Sequence, residues 1–245
     1  MIQLDVHTHT IASGHAYNTI LEMAHEAARK GLRILGITEH APNIPGACDP
    51  IYFRNLHVVP RTIEGVRLLL GAELNILDTN GTLDLDPWYY QHCLDLRIAG
   101  IHRLCWQGGT QEQNTHAMVQ AIANPWVHII SHPGDGTADL DFEAVVLAAK
   151  QHNTLLEINN SSFIPRRGLN ASHDNYRRIL QLCLRHDVPV ILGSDAHFCT
   201  DIANYKYVLP LLDELQFPER LVVNHQPEQF LEFVFGKTDK AIAAN

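Results

Sequence analysis

The sequence predicts an α/β protein built as one (βα) barrel, and three observations carry this prediction. Short apolar segments alternate with longer amphipathic segments along the 245 residues, as in consecutive βαβ units. About seven such units follow one another without a linker or a change of composition, which favours a single barrel domain over 1–245 rather than an open doubly wound sheet. The sequence also lacks the G-x-G-x-x-G and G-x-x-x-x-G-K-[ST] motifs of nucleotide-binding α/β folds.

The individual elements are predicted from the apolar period and from the residues that end each segment. Gly31 stands where a helix-ending glycine is expected, and Pro87 stands in the first turn of a later helix. The predicted strands span residues 2–6, 33–38, 66–73, 96–101, 127–131, 155–159 and 188–193. The predicted helices span residues 18–30, 87–93, 113–123, 141–152, 173–186, 202–215 and 227–235. Residues 41–60 are expected to be irregular, and 75–77 and 82–85 to form a hairpin.

The composition is that of an acidic globular protein. Hydrophobic residues make up 46% of the chain, charged residues 18%, and the net charge is -9. The negative charge counts against a nucleic-acid partner held by a basic surface. No apolar segment approaches the ~20 residues that span a bilayer. The five cysteines are scattered and form no C-x-x-C pair, which predicts free thiols in a reducing compartment. The first residues show no secretory pattern, so we expect a cytoplasmic location.

Histidine is the unusual residue, with 16 copies against 18 lysines and arginines. Side chains that commonly bind metal come at or soon after the ends of most predicted strands, and in a parallel barrel these ends share one face. The candidate ligands are His7, His9, His15, His40, Glu73, His102, His132, Asp195 and His197. Imidazole nitrogens and carboxylate oxygens are the ligands that zinc, manganese and iron accept, so the sequence predicts a metal centre at this face.

The number of candidates predicts more than one ion. One ion needs about three or four protein ligands, so nine positions fit two or three ions. His7 and His9, like Asp195 and His197, are two residues apart on an extended segment, so both members of each pair point to one side. The other nine histidines lie in or beside helices, at a strand start or in irregular segments, and we assign none of them to metal.

Taken together, these motifs resemble the polymerase-and-histidinol-phosphatase (PHP) family, and within it the YcdX-type bacterial phosphatases. The resemblance extends from His7 to about Asn224. The segments that carry it are His7-x-His9, His15, Thr38-Glu39-His40, Gly71-Ala72-Glu73, Gly100-Ile101-His102, Ser131-His132-Pro133, Glu157-Ile158-Asn159 and Gly193-Ser194-Asp195-Ala196-His197. It implies a distorted (βα)7 TIM-like barrel, a trinuclear metal centre and phosphoesterase activity.

The resemblance also implies how the ligands divide among three divalent ions. One ion would be held by His7, His9, Glu73 and Asp195, a second by Glu73, His102 and His132, and a third by His15, His40 and His197. We expect zinc, with manganese or iron as the alternatives. Glu39 stands where relatives often have aspartate, which leaves His40 unchanged, and residues 103–107 match no family pattern.

The expected reaction is the hydrolysis of a small phosphomonoester. Divalent ions lower the pKa of a bound water toward ~7, and we expect such a water to attack phosphorus. Asp195, the candidate catalytic residue, and a metal-bound water are the two candidates to supply the proton of the leaving group. Arg166 and Arg167, on a loop that follows a predicted strand, are candidates to clamp the substrate phosphate.

Two other functions stay open at this point. Amidohydrolases also place His-x-His at the first strand of a barrel, but they usually bridge two metals with a carbamylated lysine at a strand end. None of the five lysines follows a predicted strand, which weighs against this class. A non-catalytic metal-binding module is the second alternative, although all nine ligand positions are filled.

Overall fold

A parallel sheet of seven strands forms a nearly closed barrel in the computed structural model, which describes residues 1–164 and 172–244. The strands pair in the order β1-β2-β4-β5-β6-β7-β8, and β3 pairs antiparallel with β4. They are β1 (Leu4–Asp5), β2 (Ile34–His40), β3 (Thr62–Ile63), β4 (Val66–Asn75), β5 (Leu96–Gly100), β6 (Ile129–Ile130), β7 (Leu155–Asn159) and β8 (Val190–Gly193). The predicted TIM-like barrel is therefore confirmed.

Helices connect the parallel strands. They are α1 (Ile20–Arg29), α2 (Ile51–Asn55), α3 (Pro87–His92), α4 (Gln111–Ala123), α5 (Phe142–His152), α6 (Ser172–His186), α7 (Val208–Glu214) and α8 (Pro227–Ala244). Two of them begin with a capping box, in which a threonine hydroxyl and a Glu or Gln side chain satisfy the free N–H groups of the first turn. Thr19 and Glu22 cap α1 in this way, and Thr110 and Gln113 cap α4.

Several predicted elements differ from the structure. The first strand, predicted over 2–6, is reduced to Leu4–Asp5, and of the predicted hairpin one antiparallel bridge forms, between Ile76 and Leu83. The helix predicted over 202–215 begins only at Val208, because Ala203 has a φ of 52° and breaks the helical path. The last helix continues past residue 235 to Ala244. The strand predicted over 127–131 is reduced to Ile129–Ile130. Within the segment expected to be irregular, Pro50 precedes the short helix α2.

The apolar side chains form two layers on either side of the strands. A smaller cluster takes at least one buried side chain from each of the seven parallel strands, together with Phe230 and Val234 of α8. This composition places the cluster inside the barrel, with α8 closing one mouth. The larger cluster packs the outer faces of the strands against the surrounding helices.

The barrel closes between β8 and β1 through a side chain. The buried Asn224 accepts a hydrogen bond from the Leu192 amide at 2.7 Å and donates to the carbonyls of Leu192 and Leu4 at 2.9 and 3.1 Å. At the other end of the gap, the His9 amide donates to the Ala196 carbonyl at 2.9 Å. The amide group of Asn224 thus takes the place of a strand ladder.

The structure also bears on the predictions about the cysteines and about membrane-spanning segments. All five cysteines are unpaired, as the sequence predicts. No helix among the described residues combines the length and the apolar character that crossing a bilayer requires.

Candidate metal centre

The structure brings all nine predicted ligands together at the carboxyl ends of the strands. Seven of them, with Asp135, Ser161 and Ser162, line a cavity of about 260 Å³. His7 and His9 do not line this cavity and are buried below 3% exposure, yet both lie within 4 Å of Glu73 and Asp195. Side chains separated by up to 190 positions in the sequence therefore face one another.

Glu73 is the centre of this group. Its Oε1 lies 2.8 Å from Nε2 of His132, 3.2 Å from Nε2 of His102 and 3.4 Å from Nε2 of His7. Its Oε2 lies 2.9 Å from Nδ1 of His40 and 3.6 Å from Nε2 of His9. A carboxylate with both oxygens surrounded by imidazoles has the arrangement that a bridging metal ligand requires.

Asp195 is the second carboxylate of the cluster. Its Oδ1 lies 3.4 Å from Nε2 of His9, 3.7 Å from Nε2 of His7 and 3.3 Å from Nδ1 of His197. Its backbone has a φ of 54°, in the left-handed region that non-glycine residues seldom adopt. Strain of this kind is tolerated where the surrounding structure fixes a functional side chain.

Four imidazole rings pack against one another at one side of the cluster, those of His9, His15, His40 and His197. The ring centroids of His9 and His40 are 4.2 Å apart, and those of His9 and His197 are 4.5 Å apart. The ring of His15 lies 4.9 Å from that of His40 and 4.8 Å from that of His197. The exposed His15 is thereby drawn into the same cluster as its buried neighbours.

The electrostatics of the cluster favour cations. Burial raises the pKa of Glu73, but His7, His102 and His40 outweigh it and hold that pKa well below its ordinary value. Burial lowers the pKa of His132, but Glu73 outweighs it and raises the pKa to about 9. The pKa of His9 lies well below its ordinary value because of burial and of the neighbouring His40 and His197. Ionised carboxylates thus share their site with imidazole nitrogens, and divalent ions that bind to this donor set would displace the imidazole protons.

Two buried histidine nitrogens that lack hydrogen-bond partners are suitable ligands for a bound ion. Nε2 of His7 and Nε2 of His9 have no hydrogen-bond partner among residues 1–164 and 172–244. Their nearest carboxylate oxygens are 3.4 Å away, which is too long for a strong hydrogen bond. Buried nitrogens seldom remain unpartnered in proteins, so a cation between these groups is the physical explanation that the donor set supports.

Among the described residues, three groups of side chains have ligand atoms within 4.8 Å of one another. They are His7, His9 and Asp195; His40, Glu73 and His102; and His9, His40 and His197. The first group agrees with the predicted division of ligands. The other two place His40 beside Glu73 and His9, whereas we predict that it shares an ion with His15 and His197. That division of His40 stays a prediction.

Ser13 and Glu39 support the cluster from behind, and sequence analysis assigned neither of them a role. The Ser13 hydroxyl donates to Oε2 of Glu39 at 2.5 Å and lies 3.1 Å from Nδ1 of His9. The same hydroxyl accepts a hydrogen bond from the His40 amide at 3.0 Å. Since its only proton goes to Glu39, Ser13 must accept from Nδ1 of His9, which directs the lone pair of Nε2 into the cluster.

Glu39 sits at a strand end and is visible in the sequence, but its role depends on Ser13. Its oxygens also accept from the amide and the hydroxyl of Thr10. Burial raises the pKa of Glu39, and the hydrogen bonds from Ser13 and Thr10 oppose that rise. The two candidate phosphate-binding residues, Arg166 and Arg167, lie outside the described residues.

Comparison with known proteins identifies the family of these motifs. The family model for the PHP domain matches residues 5–238. A probable phosphatase from Caldicellulosiruptor saccharolyticus is 46% identical over 233 residues, which cover 95% of this chain and 96% of that protein. A probable phosphatase from Clostridium botulinum is 42% identical over 234 residues, which cover 96% and 95% of the two chains.

A solved structure shares the fold. It is a histidinol phosphate phosphatase from Lactococcus lactis in complex with zinc, L-histidinol and phosphate. The TM-score is 0.60 at 16% identity, and the match covers 89% of this chain and 95% of that chain. At 16% identity this structural similarity establishes the barrel fold alone. The inference about activity rests on the sequence relatives.

Proposed function

The chain belongs to the PHP-domain family, and on that premise we propose that it is a metal-dependent phosphatase that hydrolyses phosphomonoesters at the His/Glu/Asp cluster. The observation that carries the proposal is the placement of Glu73 among five imidazoles at the carboxyl ends of the strands. The names of the sequence relatives support the same class of enzyme.

We propose that the cluster holds three divalent ions. Seven imidazoles and two carboxylates supply about three ligands for each ion, with Glu73 shared between two of them. Zinc is the first choice because the Lactococcus lactis phosphatase is complexed with zinc, and manganese or iron would accept the same ligands. The ions, when bound, would act as Lewis acids and would activate water for attack on phosphorus.

The protein itself contributes charge, shape and proton handling. Two carboxylates do not neutralise three divalent ions, so the cavity would attract a phosphate dianion although the chain is acidic overall. Asp195 lines the cavity and is our candidate to handle the proton of the leaving group. Arg166 and Arg167 remain our candidates for a guanidinium clamp on the phosphate, and Arg167→Ala is expected to raise KM.

The lysines weigh against an amidohydrolase. The five lysines of the chain all lie among the described residues, and none of them lines the cavity. Lys30, Lys150 and Lys237 instead donate to backbone carbonyls outside it. Without a lysine at a strand end there is no residue to carbamylate.

The five unpaired cysteines support our inference of a reducing, cytoplasmic location.

Hydrolysis of p-nitrophenyl phosphate by zinc- or manganese-loaded protein tests the proposal. We expect turnover by the wild type and a loss of more than about 100-fold in His9→Ala, because an inner ligand matters at least as much as an outer one. His25→Ala is the matched control, since His25 is exposed and pairs with Glu64. A fully loaded wild type without activity on any phosphomonoester would contradict the proposal and favour a non-catalytic metal-binding module.

A further inference from the structure

Glu157 of β7 is a buried carboxylate close to the cluster, but it is not among the side chains that line the cavity. Only 1% of its surface is exposed, and three N–H groups converge on it. Nδ1 of His7 lies 2.7 Å from its Oε1. The His132 amide and Nδ2 of Asn159 donate to its Oε2 at 2.7 and 3.1 Å.

These contacts determine which nitrogen of His7 faces the cluster. An ionised carboxylate has no proton to give, so the hydrogen between Glu157 and His7 lies on Nδ1. In the neutral ring the lone pair is then on Nε2, the atom that faces Glu73 and Asp195 at 3.4 and 3.7 Å. Outer carboxylates that accept from the second nitrogen of a histidine fix its tautomer and its ring orientation in metal sites.

The same carboxylate holds the backbone of a second candidate ligand. His132 has a φ of 32°, a positive value that is uncommon for a non-glycine residue. Its amide hydrogen bond to Glu157 fixes this turn, and the turn brings Nε2 of His132 to 2.8 Å from Oε1 of Glu73. One side chain thus orients two candidate ligands that follow different strands.

The neighbouring strand is built to leave room for this side chain. Gly193 of β8 stands against Glu157, and a Cβ atom at Gly193 would overlap its carboxylate. Gly193 has no positive φ that would require glycine, so the space it leaves is the physical reason for this residue. β7 and β8 are therefore matched to each other around Glu157.

We propose that Glu157 is a positioning residue that directs Nε2 of His7 and the ring of His132 toward the metal ions without binding them itself. The inference rests on the proposed metal centre. It predicts that removing the carboxylate weakens metal binding by about 10- to 100-fold, the usual effect of losing an outer partner of a metal ligand.

Zinc binding to Glu157→Gln is the direct test. Glutamine has the same shape but offers one acceptor oxygen and one NH2 group that only donates. Whichever way the amide is turned, either His7 or the His132 amide then meets a donor. We would titrate metal-free protein with zinc against a chromophoric chelator, count bound ions by elemental mass spectrometry, and record thermal unfolding of the metal-free form.

The matched control is Asp84→Asn. Asp84 also accepts three N–H hydrogen bonds, from the amides of Asn43 and Asn75 and from Nδ2 of Asn75, but it contacts no candidate ligand. Glu157→Asp is a second variant that keeps the charge and withdraws the oxygens by one methylene. If position is what matters, it also weakens zinc binding, and it provides the test should Glu157→Gln not fold.

The outcomes separate this inference from the proposed function. We expect wild-type zinc affinity for Asp84→Asn, a loss of about 10- to 100-fold for Glu157→Gln, and recovery of turnover at saturating zinc. Zinc affinity within twofold of the wild type in a folded Glu157 variant would overturn the inference. A wild type that binds zinc but hydrolyses no phosphomonoester would contradict the proposed function and leave the binding comparison valid.

Discussion

At the scale of single residues, the hydroxyl of Ser13 connects His9, Glu39 and His40 behind the cluster. It donates a hydrogen bond to Glu39 and accepts hydrogen bonds from the His40 amide and from Nδ1 of His9. A serine with three such contacts fixes the orientation of one candidate ligand and the backbone of another. Nothing in the sequence around Ser13 distinguishes it from an ordinary loop serine, because its partners follow or belong to different strands.

Replacement of Ser13 tests this role. Ser13→Ala leaves the His9 Nδ1 proton and the His40 amide without their acceptor, so we expect it to weaken zinc binding by about 10- to 100-fold. It should also lower the free energy of unfolding of the metal-free protein by about 1–3 kcal/mol. Zinc titration and urea unfolding measure the two effects.

Ser131→Ala is the control for this prediction. Ser131 is equally buried and adjoins His132, but its hydroxyl has no hydrogen-bond partner among the described residues. We expect it to keep wild-type zinc affinity. Equal zinc affinities in both serine variants would show that the Ser13 hydroxyl does not orient His9.

At the scale of elements, helix α8 closes the barrel mouth opposite the His/Glu/Asp cluster. Phe230 and Val234 enter the inner apolar cluster, and Lys237 reaches the end of α5. Its ammonium group donates to the carbonyls of His152 and Asn153 and to the Thr154 hydroxyl, at 3.1, 2.9 and 2.6 Å. A cation at these carbonyls is favoured by the dipole of α5.

The charge of Lys237 makes stability depend on pH. Burial, assisted by the charge of Arg97, lowers its pKa from 10.5 to about 7. Between these values the unfolded chain binds a proton that the folded chain does not, so the free energy of unfolding rises with pH across this window. Lys237→Met lacks this contribution, so its free energy of unfolding, measured with urea from pH 7 to 10, should rise less steeply than that of the wild type.

Lys240→Met, at an exposed position of the same helix, is the control and should follow the wild type. Parallel curves for all three proteins would refute the lowered pKa of Lys237.

Gly236 lies one residue beyond the predicted end of the last helix, inside α8. Glycine favours helix ends, yet Gly236 lies inside α8 with open space around the position of a Cβ atom. Gly236→Ala should therefore stabilise the protein by roughly 0.5–1 kcal/mol, since alanine loses less entropy in a helix. Gly31→Ala is the matched control: it also has open space, but its φ of 77° should make alanine destabilising. Thermal unfolding checks both, and destabilisation by Gly236→Ala would contradict the account.

At the scale of the whole molecule, the local pattern of the sequence predicts more of the candidate site than of the barrel's closure. The ends of parallel strands share one face by topology, so the meeting of His7, His132 and Asp195 is predictable once the strands are identified. The role of Asn224 is not, because an asparagine side chain that replaces a strand ladder has no local signature. The same holds for Glu157, whose partners come from the segments after β1 and β6 and from β7 itself.

Asn224 tests how the barrel closes. Asn224→Ala leaves the buried Leu192 amide without an acceptor and leaves the carbonyls of Leu4 and Leu192 to share the Tyr205 hydroxyl, so we expect a loss of about 1–3 kcal/mol in the free energy of unfolding. The half-buried Asn204, whose side chain accepts one hydrogen bond of 3.3 Å, provides the control, and Asn204→Ala should cost less than about 0.5 kcal/mol. Similar urea midpoints for the two variants would mean that the Asn224 side chain is dispensable for closure.

Metal reconstitution tests most directly whether the His/Glu/Asp cluster binds the ions on which phosphatase activity depends. The protein would be stripped with a chelator, reloaded with zinc in steps, and assayed for bound ions and for hydrolysis of p-nitrophenyl phosphate at each step. We expect three ions per chain, no turnover in the stripped protein and return of turnover as the sites fill. Undiminished hydrolysis by protein that elemental mass spectrometry shows to be metal-free would contradict this expectation.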